Sequence, residues 1–182
     1  ADTFTVETGG SEAIRVDSSQ RLLLGTDTAP SVGGQQFRSV LSGNSFATSG
    51  QAQVRYQNDT AGATLILSHA RGTEASPTIL NNGDEVGKIR FYAHDGNDFA
   101  SVAAQISVTI DGAPAENDTP GSITFSTTAD GASTATERLR VTSTGGVHFS
   151  NAELIERVNI VANKLSAVPN VSLDNGMVHY YT

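Results

Sequence analysis

The chain has 182 residues, no cysteine and a net charge of −8, from 11 basic and 19 acidic residues. The absence of cysteine excludes disulfides and thiolate metal sites. An acidic chain without a basic run argues against binding to DNA, RNA or an anionic membrane. No apolar run approaches the ~20 residues of a membrane span, and residues 1–20 do not read as a signal peptide. Short alternating apolar runs between turn residues predict an all-β fold.

The N-terminal part of the chain reads as short strands separated by loops. Thr3–Val6 alternates as a strand, and Ser11–Leu24 reads as two strands around a tight polar turn, which is a hairpin. Residues 26–34 contain Pro30 and paired glycines and predict a loop. Further strand candidates are Gln36–Leu41, Gln53–Gln57 and Thr64–Ala70.

The middle of the chain gives the clearest strand signal. Lys88–Ala93, Ala104–Ile110 and Ser122–Ser126 alternate between apolar and polar residues, with turn residues between them. The apolar members that share one side are Ile89, Phe91, Ala104, Ile106, Val108, Ile110, Ile123 and Phe125. The pattern predicts one antiparallel meander with a single buried face, the apolar one.

A second hairpin pattern follows the meander. Thr136–Phe149 repeats Ser11–Leu24 position by position, so both segments are predicted to form hairpins of similar geometry. The repeat places Glu12 with Arg15 and Glu137 with Arg140, which predicts a repeated ion pair. The two turns differ in chemistry, since Gly145-Gly146 takes a positive φ freely whereas Ser19-Gln20 does so at a cost.

The C-terminal segment allows two interpretations. Asn151–Leu165 has apolar residues at helical or coiled-coil spacing, but Val158–Ala162 also alternates as an extended segment. We favour a short helix or turn at Ala152–Arg157, followed by strands. The chain begins and ends inside strand patterns, so it is expected to be a segment of a longer polypeptide. Three regions are predicted: 1–30, an N-terminal hairpin; 31–150, a meander ending in the second hairpin; and 151–182, a connector and the start of a further β-module.

The amino-acid sequence of the second hairpin resembles that of a known group of proteins. Glu137–Val147 reads E-R-L-R-V-x-S-x-G-x-V, and the strands before it read Gly87-Lys88-Ile89-Arg90-Phe91 and Gly121-Ser122-Ile123-Thr124-Phe125. This wording resembles bacteriophage tail-fibre and other virion-fibre proteins, especially those of marine cyanophages. The first hairpin departs from it, with Ala13 for the usual basic residue and Gln20 for the usual glycine.

The resemblance implies a structural role in a virion appendage, most simply a tail-fibre segment that takes part in host attachment. A capsid decoration or vertex fibre protein is the alternative, and a polysaccharide-degrading tailspike domain is a weaker one. The implied location is the virion, and the implied partners are other virion proteins and a host surface polysaccharide or outer-membrane receptor. A homotrimer is expected because the chain is sparing in core residues, and chains in a fibre complete one another's cores.

The residues themselves name no catalytic, cofactor-binding or metal-binding site. The densest polar cluster, at His94, Asp95, Asn97 and Asp98, has the residues of a turn and lacks the length and terminal Glu of a calcium loop. The four histidines, His69, His94, His148 and His179, show neither metal-ligand spacing nor a nucleophile–base signature. Sugar hydrolysis needs paired carboxylates, and the glutamates are scattered: Glu12, Glu85, Glu137, Glu153 and Glu156. The sequence therefore predicts a protein that is not an enzyme.

Overall fold

A computed structural model of the chain describes residues 3–153, 159–161 and 179–181. Strands account for nearly all of the regular structure, which confirms the all-β prediction. In chain order the strands are β1 (Phe4–Thr8), β2 (Ser11–Val16), β3 (Leu22–Leu24), β4 (Ser39–Leu41), β5 (Arg71–Thr73), β6 (Ser76–Thr78), β7 (Glu85–Tyr92), β8 (Val102–Ile110), β9 (Gly121–Thr127), β10 (Thr136–Val141), β11 (Val147–Phe149), β12 (Asn159–Val161) and β13 (His179–Tyr181).

The first four strands form one sheet in the order β1-β2-β3-β4. β1, β2 and β3 are antiparallel neighbours, whereas β4 lies parallel to β3. The predicted strand at Gln36–Leu41 is confirmed only over Ser39–Leu41. Its N-terminal half belongs to the preceding loop, where Gln36 donates from Nε2 to the Ala29 carbonyl at 2.9 Å.

The predicted meander is confirmed and is wider than expected. β7, β8 and β9 pair antiparallel in sequence, and β10 and β11 continue the same sheet, so its order is β11-β10-β9-β8-β7. The second hairpin is therefore an integral part of the meander. Strict alternation explains the register, because a slip of one residue would move every apolar side chain to the other face.

The predicted strands at Gln53–Gln57 and Thr64–Ala70 are wrong, since neither segment is paired in this chain. Their alternation produces an extended backbone, but a strand also needs a hydrogen-bonded neighbour. The only helix among the described residues, α1 (Phe46–Ser49), precedes them and starts with a capping box between Ser45 and Thr48. It is one turn long, so no helix in the described part could cross a membrane.

Two small pairs of strands complete the described structure. β5 and β6 form an antiparallel hairpin that the sequence reading did not anticipate. β12 and β13 pair in parallel, which agrees with strands in the tail. The favoured helix or turn at Ala152–Arg157 lies largely outside the described residues.

Very little of the chain is buried. Within the described residues the buried apolar side chains are Leu23, Ala29 and Ile110. The chain alone exposes 13772 Å², whereas a compact chain of 18.9 kDa exposes about 8,300 Å². The loop after β3 connects the two larger sheets, since Gly33 donates from its backbone to the Phe99 carbonyl at 2.7 Å. Each larger sheet is thus mainly a single layer.

Candidate functional site

The most prominent feature of the five-stranded sheet is a pair of apolar rows that cross its strands. The residues that face each other on neighbouring strands form a row with one member from each of the five strands: Ile89, Ile106, Phe125, Leu139 and Phe149. The neighbouring row two residues away on the same face is Gly87, Val108, Ile123, Val141 and Val147. Because side chains alternate across a sheet, both rows lie on the same face. We call this surface the apolar face.

The apolar face is largely open in the single chain. Five of its large side chains are between 37% and 57% exposed, namely Ile89, Phe91, Phe125, Val147 and Phe149. Leu67 is the main cover at the β7 end, where a Cβ placed on Gly87 would lie only 2.9 Å from the Leu67 Cβ. Large exposed apolar patches in folded proteins are commonly sites of contact with other molecules.

The opposite face is the better covered one, which corrects the prediction that the apolar face is buried. Ser107, Ser122, Thr124 and Ser126 are all buried on that side. Ser107 Oγ and Thr124 Oγ1 lie 2.6 Å apart, which satisfies both hydroxyls. These small side chains lie beside longer ones such as Arg140, which donates from Nη1 to Ser122 Oγ at 3.4 Å. The alternation correctly gave the residues that share a face, but not which face is covered.

The two hairpins are confirmed as repeats, and the repeat includes a third strand. β2 pairs with β3 and β10 with β11 in the same register, since Ile14 faces Leu24 just as Leu139 faces Phe149. The strand before each hairpin also corresponds, because β1 and β9 each pair with their partner around one extra residue, Ala13 in the first copy and Arg138 in the second.

We call β1–β3 the N-terminal module and β9–β11 the C-terminal module. The sequence predicted both of these strands, as Thr3–Val6 and Ser122–Ser126, but did not assign them to the repeat, although Phe4-Thr5-Val6 and Ile123-Thr124-Phe125 share an apolar-Thr-apolar pattern.

The turns of the two modules have the same hydrogen bonds. Gln20 donates to the Asp17 carbonyl at 2.8 Å, and Gly145 donates to the Thr142 carbonyl at 3.0 Å. Both donors have positive φ, 60° at Gln20 and 83° at Gly145, which is a type I turn closed by a left-handed residue. The side chains at Asp17 and Thr142 also correspond, because each accepts a backbone N–H four residues later at 3.0 Å.

The predicted ion pair is present in both modules. Arg15 contacts Glu12 at 2.6 Å and Arg140 contacts Glu137 at 2.5 Å. The hydrogen bond from Arg140 lowers the pKa of Glu137 below its ordinary value, although partial burial opposes the shift. The carboxylate partners in turn raise the pKa of Arg15 and of Arg140. The pairs have a structural role, since they brace the strand across the bulge.

The polar cluster after β7 is a loop, as predicted. Asp95 Oδ1 accepts the backbone N–H groups of Asn97 at 2.9 Å and Asp98 at 3.1 Å, an Asx-turn that lowers the pKa of Asp95. The His94 ring lies edge-on to Phe99 with centroids 4.9 Å apart. His69 is engaged separately, with Nδ1 2.7 Å from the Glu85 carbonyl. No group of three potential metal ligands occurs in the described ranges.

Comparisons with known proteins yield similarity of fold. No family model and no curated protein matches the sequence. The fold is similar to the carboxy-terminal domain of the bacteriophage T5 L-shaped tail fibre solved with its intra-molecular chaperone domain, with TM-score 0.63 and 16% identity over 92% of this chain. This chain spans 50% of that structure's length. The T5 domain solved by itself gives TM-score 0.57 and 16% identity, over 96% of this chain and 72% of the other.

Proposed function

We propose that this chain is a structural segment of a bacteriophage tail fibre and a component of the virion. The observation that carries the proposal is the open apolar face on a sheet whose fold is similar to that of the T5 tail-fibre domain. A chain that leaves such a face uncovered is built to be completed by other chains. The sequence of Glu137–Val147, which resembles that of virion-fibre proteins, supports the same role independently.

The proposed assembly is a homotrimer. Three copies can turn their apolar faces towards a common axis, where Phe125 and Phe149 lose their contact with water. Each buried large apolar side chain is worth roughly 1.5–3 kcal/mol, and five such residues per chain supply a strong drive to associate. The net charge of −8 per chain keeps the outer surface soluble. Low salt should weaken the association and screening should restore it.

The proposed role in the particle is attachment to the host, with other virion proteins at one end of the fibre and a surface polysaccharide or outer-membrane receptor at the other. Exposed loops such as His94–Phe99 offer the polar groups that such contacts use. The role proposed is structural, and it is supported by the carboxylates of Glu12, Glu137 and Asp95, which are engaged in ion pairs and a turn.

The test is the mass and location of the intact protein. Light scattering at physiological salt is expected to give three chain masses, and a stable monomer would overturn the assembly. Immunogold electron microscopy of virions is expected to label tail fibres, whereas label on the capsid would favour a decoration or vertex fibre. Release of oligosaccharide from host envelope polysaccharide by the purified protein would instead establish a tailspike enzyme.

A further inference from the structure

One stretch of the chain has strand-like sequence and no strand partner. Residues 51–70, which we call the arm, have no regular secondary structure and make no backbone–backbone hydrogen bond within the described structure. Tyr56 is 91% exposed, Ile66 76% and Leu65 65%. Peptide groups and apolar side chains of this kind are normally paired and covered in a folded protein.

The arm nevertheless has an ordered centre. Arg55 donates to the two carboxylate oxygens of Asp59 at 2.8 and 2.6 Å and to the Ala61 carbonyl at 2.6 Å. The Asp59 carboxylate also accepts the Ala61 N–H at 2.9 Å, and these contacts lower its pKa. The arm therefore consists of two unpaired halves on either side of a hydrogen-bonded bend, which leaves the peptide groups of both halves available to a neighbouring strand.

The two modules identify a sheet edge that lacks a strand. In the N-terminal module the outer edge of β3 is covered by β4, with Leu22 donating to the Arg38 carbonyl at 2.7 Å and Ser42 to the Leu24 carbonyl at 2.9 Å. β11 is the counterpart of β3, and within the described residues its outer edge has no partner. An uncovered edge presents a row of free N–H and C=O groups.

The arm carries a close match to the strand that covers the equivalent edge. β4 and the residue after it read Val40-Leu41-Ser42, and the second half of the arm reads Ile66-Leu67-Ser68. Transferring the β4–β3 register to β11 places Leu65, Ile66 and Leu67 opposite Val147, His148 and Phe149, respectively. Leu67 then joins the apolar row that ends at Phe149.

The arm of the same chain is held at the other end of the sheet. Its Leu67 packs on Gly87 and its His69 contacts the Glu85 carbonyl, both on β7. β7 and β11 are opposite edges of the five-stranded sheet, four strand spacings or about 19 Å apart. An arm that lies beside its own β7 does not cover its own β11, so among the described residues the β11 edge is left open to a strand from another chain.

We infer that the arm of one copy pairs with the β11 edge of a second copy, in the register that β4 adopts on β3. The inference rests on the proposed homotrimer and specifies how its chains are joined. The contact is head-to-tail, since the surface used on one chain differs from that used on the next, and such contacts close into a ring of three when successive copies are related by a third of a turn. The β11 edge is then completed, and Leu67 extends the apolar row beside Phe149.

The absence of native cysteine allows a cross-linking test in the full-length protein. Ile66→Cys and His148→Cys are made in separate chains, which are co-expressed, oxidised and analysed by non-reducing electrophoresis and peptide mass spectrometry. A disulfide requires Cα atoms within about 4.4–6.8 Å, so a 66–148 link between chains reports pairing directly. The matched control replaces Ile66→Cys by Glu116→Cys, a change at an exposed residue of the turn between β8 and β9, which takes no part in the proposed register.

The expected result is at least ten-fold more 66–148 link than 116–148 link. A trimeric mass with no 66–148 link would overturn the arm pairing and leave the homotrimer standing. A monomeric mass would overturn both. In a double variant carrying both cysteines, a link confined to single chains would show that the arm covers its own β11 and would also overturn the inference.

Discussion

The N-terminal module and the C-terminal module follow the same backbone path but occupy different positions in their sheets. Both have the same hairpin register, a bulge at the corresponding position (Ala13 and Arg138) and the same Glu–Arg pair. The N-terminal module begins at a sheet edge with β1 and is covered by β4, whereas the C-terminal module joins β8 on one side and ends at β11 on the other. The module is therefore a unit whose geometry is local, while its neighbours vary.

The largest difference between the two modules is expected when a charged residue is placed in the apolar row. Val6 and Phe125 occupy corresponding positions, but β1 is an edge strand and β9 is the central strand of five. We expect Phe125→Asp to abolish assembly, because an unpaired carboxylate buried among apolar side chains costs several kcal/mol. Val6→Asp should leave the oligomer intact and lower the melting temperature less. Light scattering and thermal melts of both variants check this, and equal effects would contradict it.

A smaller difference is expected at the paired arginines. Arg140 contacts Glu137 and the buried Ser122 hydroxyl, whereas the corresponding Arg15 contacts Glu12 alone through its side chain. Replacing Arg140→Met should cost more than Arg15→Met by on the order of 1 kcal/mol, the worth of a hydrogen bond to a buried hydroxyl. Urea denaturation of the two variants measures the difference. A larger loss for Arg15→Met would show that Ser122 is satisfied by other groups.

The turns offer an exchange experiment. Gln20 adopts the left-handed conformation at a cost of roughly 1–2 kcal/mol that Gly145 avoids. Gln20→Gly should therefore stabilise the protein by up to about 1 kcal/mol, after allowance for the greater freedom of glycine in the unfolded chain. Gly145→Gln should destabilise it, although no atom lies within 4 Å of the added Cβ. Ser19→Gly, at a residue without positive φ, is the matched control and should bring no gain in denaturant melts.

The weakest expected effect concerns acid. Burial opposes ionisation of Asp17, but hydrogen bonds from the Arg21 backbone and guanidinium and from the Ser19 backbone outweigh it, so the folded-state pKa of Asp17 is lowered. Its contribution to stability is present above the unfolded pKa and is lost as pH falls below about 4 towards the folded pKa. The C-terminal module has the non-titrating Thr142 at the same position.

Asp17→Thr should therefore reduce the fall in melting temperature between about pH 5 and about pH 3, the range in which carboxylates titrate. Glu137 also has a lowered pKa, so the residual acid sensitivity of Asp17→Thr should decrease further in a double variant with Glu137→Gln. An unchanged acid profile in both variants would mean that neither carboxylate contributes to acid sensitivity.

Local features of the fold were readable from the sequence. The hairpins were predicted because each has two short strands on either side of a tight polar turn. The meander strands were predicted from uninterrupted alternation of apolar and polar residues, as at Ala104–Ile110. The strands at Thr3–Val6 and Ser122–Ser126 were predicted, but their place in the repeat was not recognised, because a three-residue match between Phe4-Thr5-Val6 and Ile123-Thr124-Phe125 is too short to stand out. The Glu–Arg pairs were found because the repeat displayed them twice.

The wrong predictions concern the contacts that a segment makes with the rest of the protein. Alternation at Ser122–Ser126 identifies two faces, but whether Ile123 or Thr124 is covered depends on what packs against the sheet. Alternation at Thr64–Ala70 likewise indicates an extended backbone, while pairing depends on the presence of another strand. No pattern within one chain encodes the surfaces of a second, so the candidate site was readable as a set of residues and not as an open surface.

The small amount of burial in each chain has a kinetic consequence. A single copy encloses few apolar side chains. The proposed homotrimer would therefore gain most of its stability when the copies associate, so that folding and association become one reaction. Its melting temperature should then rise with protein concentration, and refolding after dilution from denaturant should follow higher-order kinetics instead of a single exponential. Dilute chains would spend longer with their apolar rows in water, which makes the local concentration of newly made copies a determinant of yield.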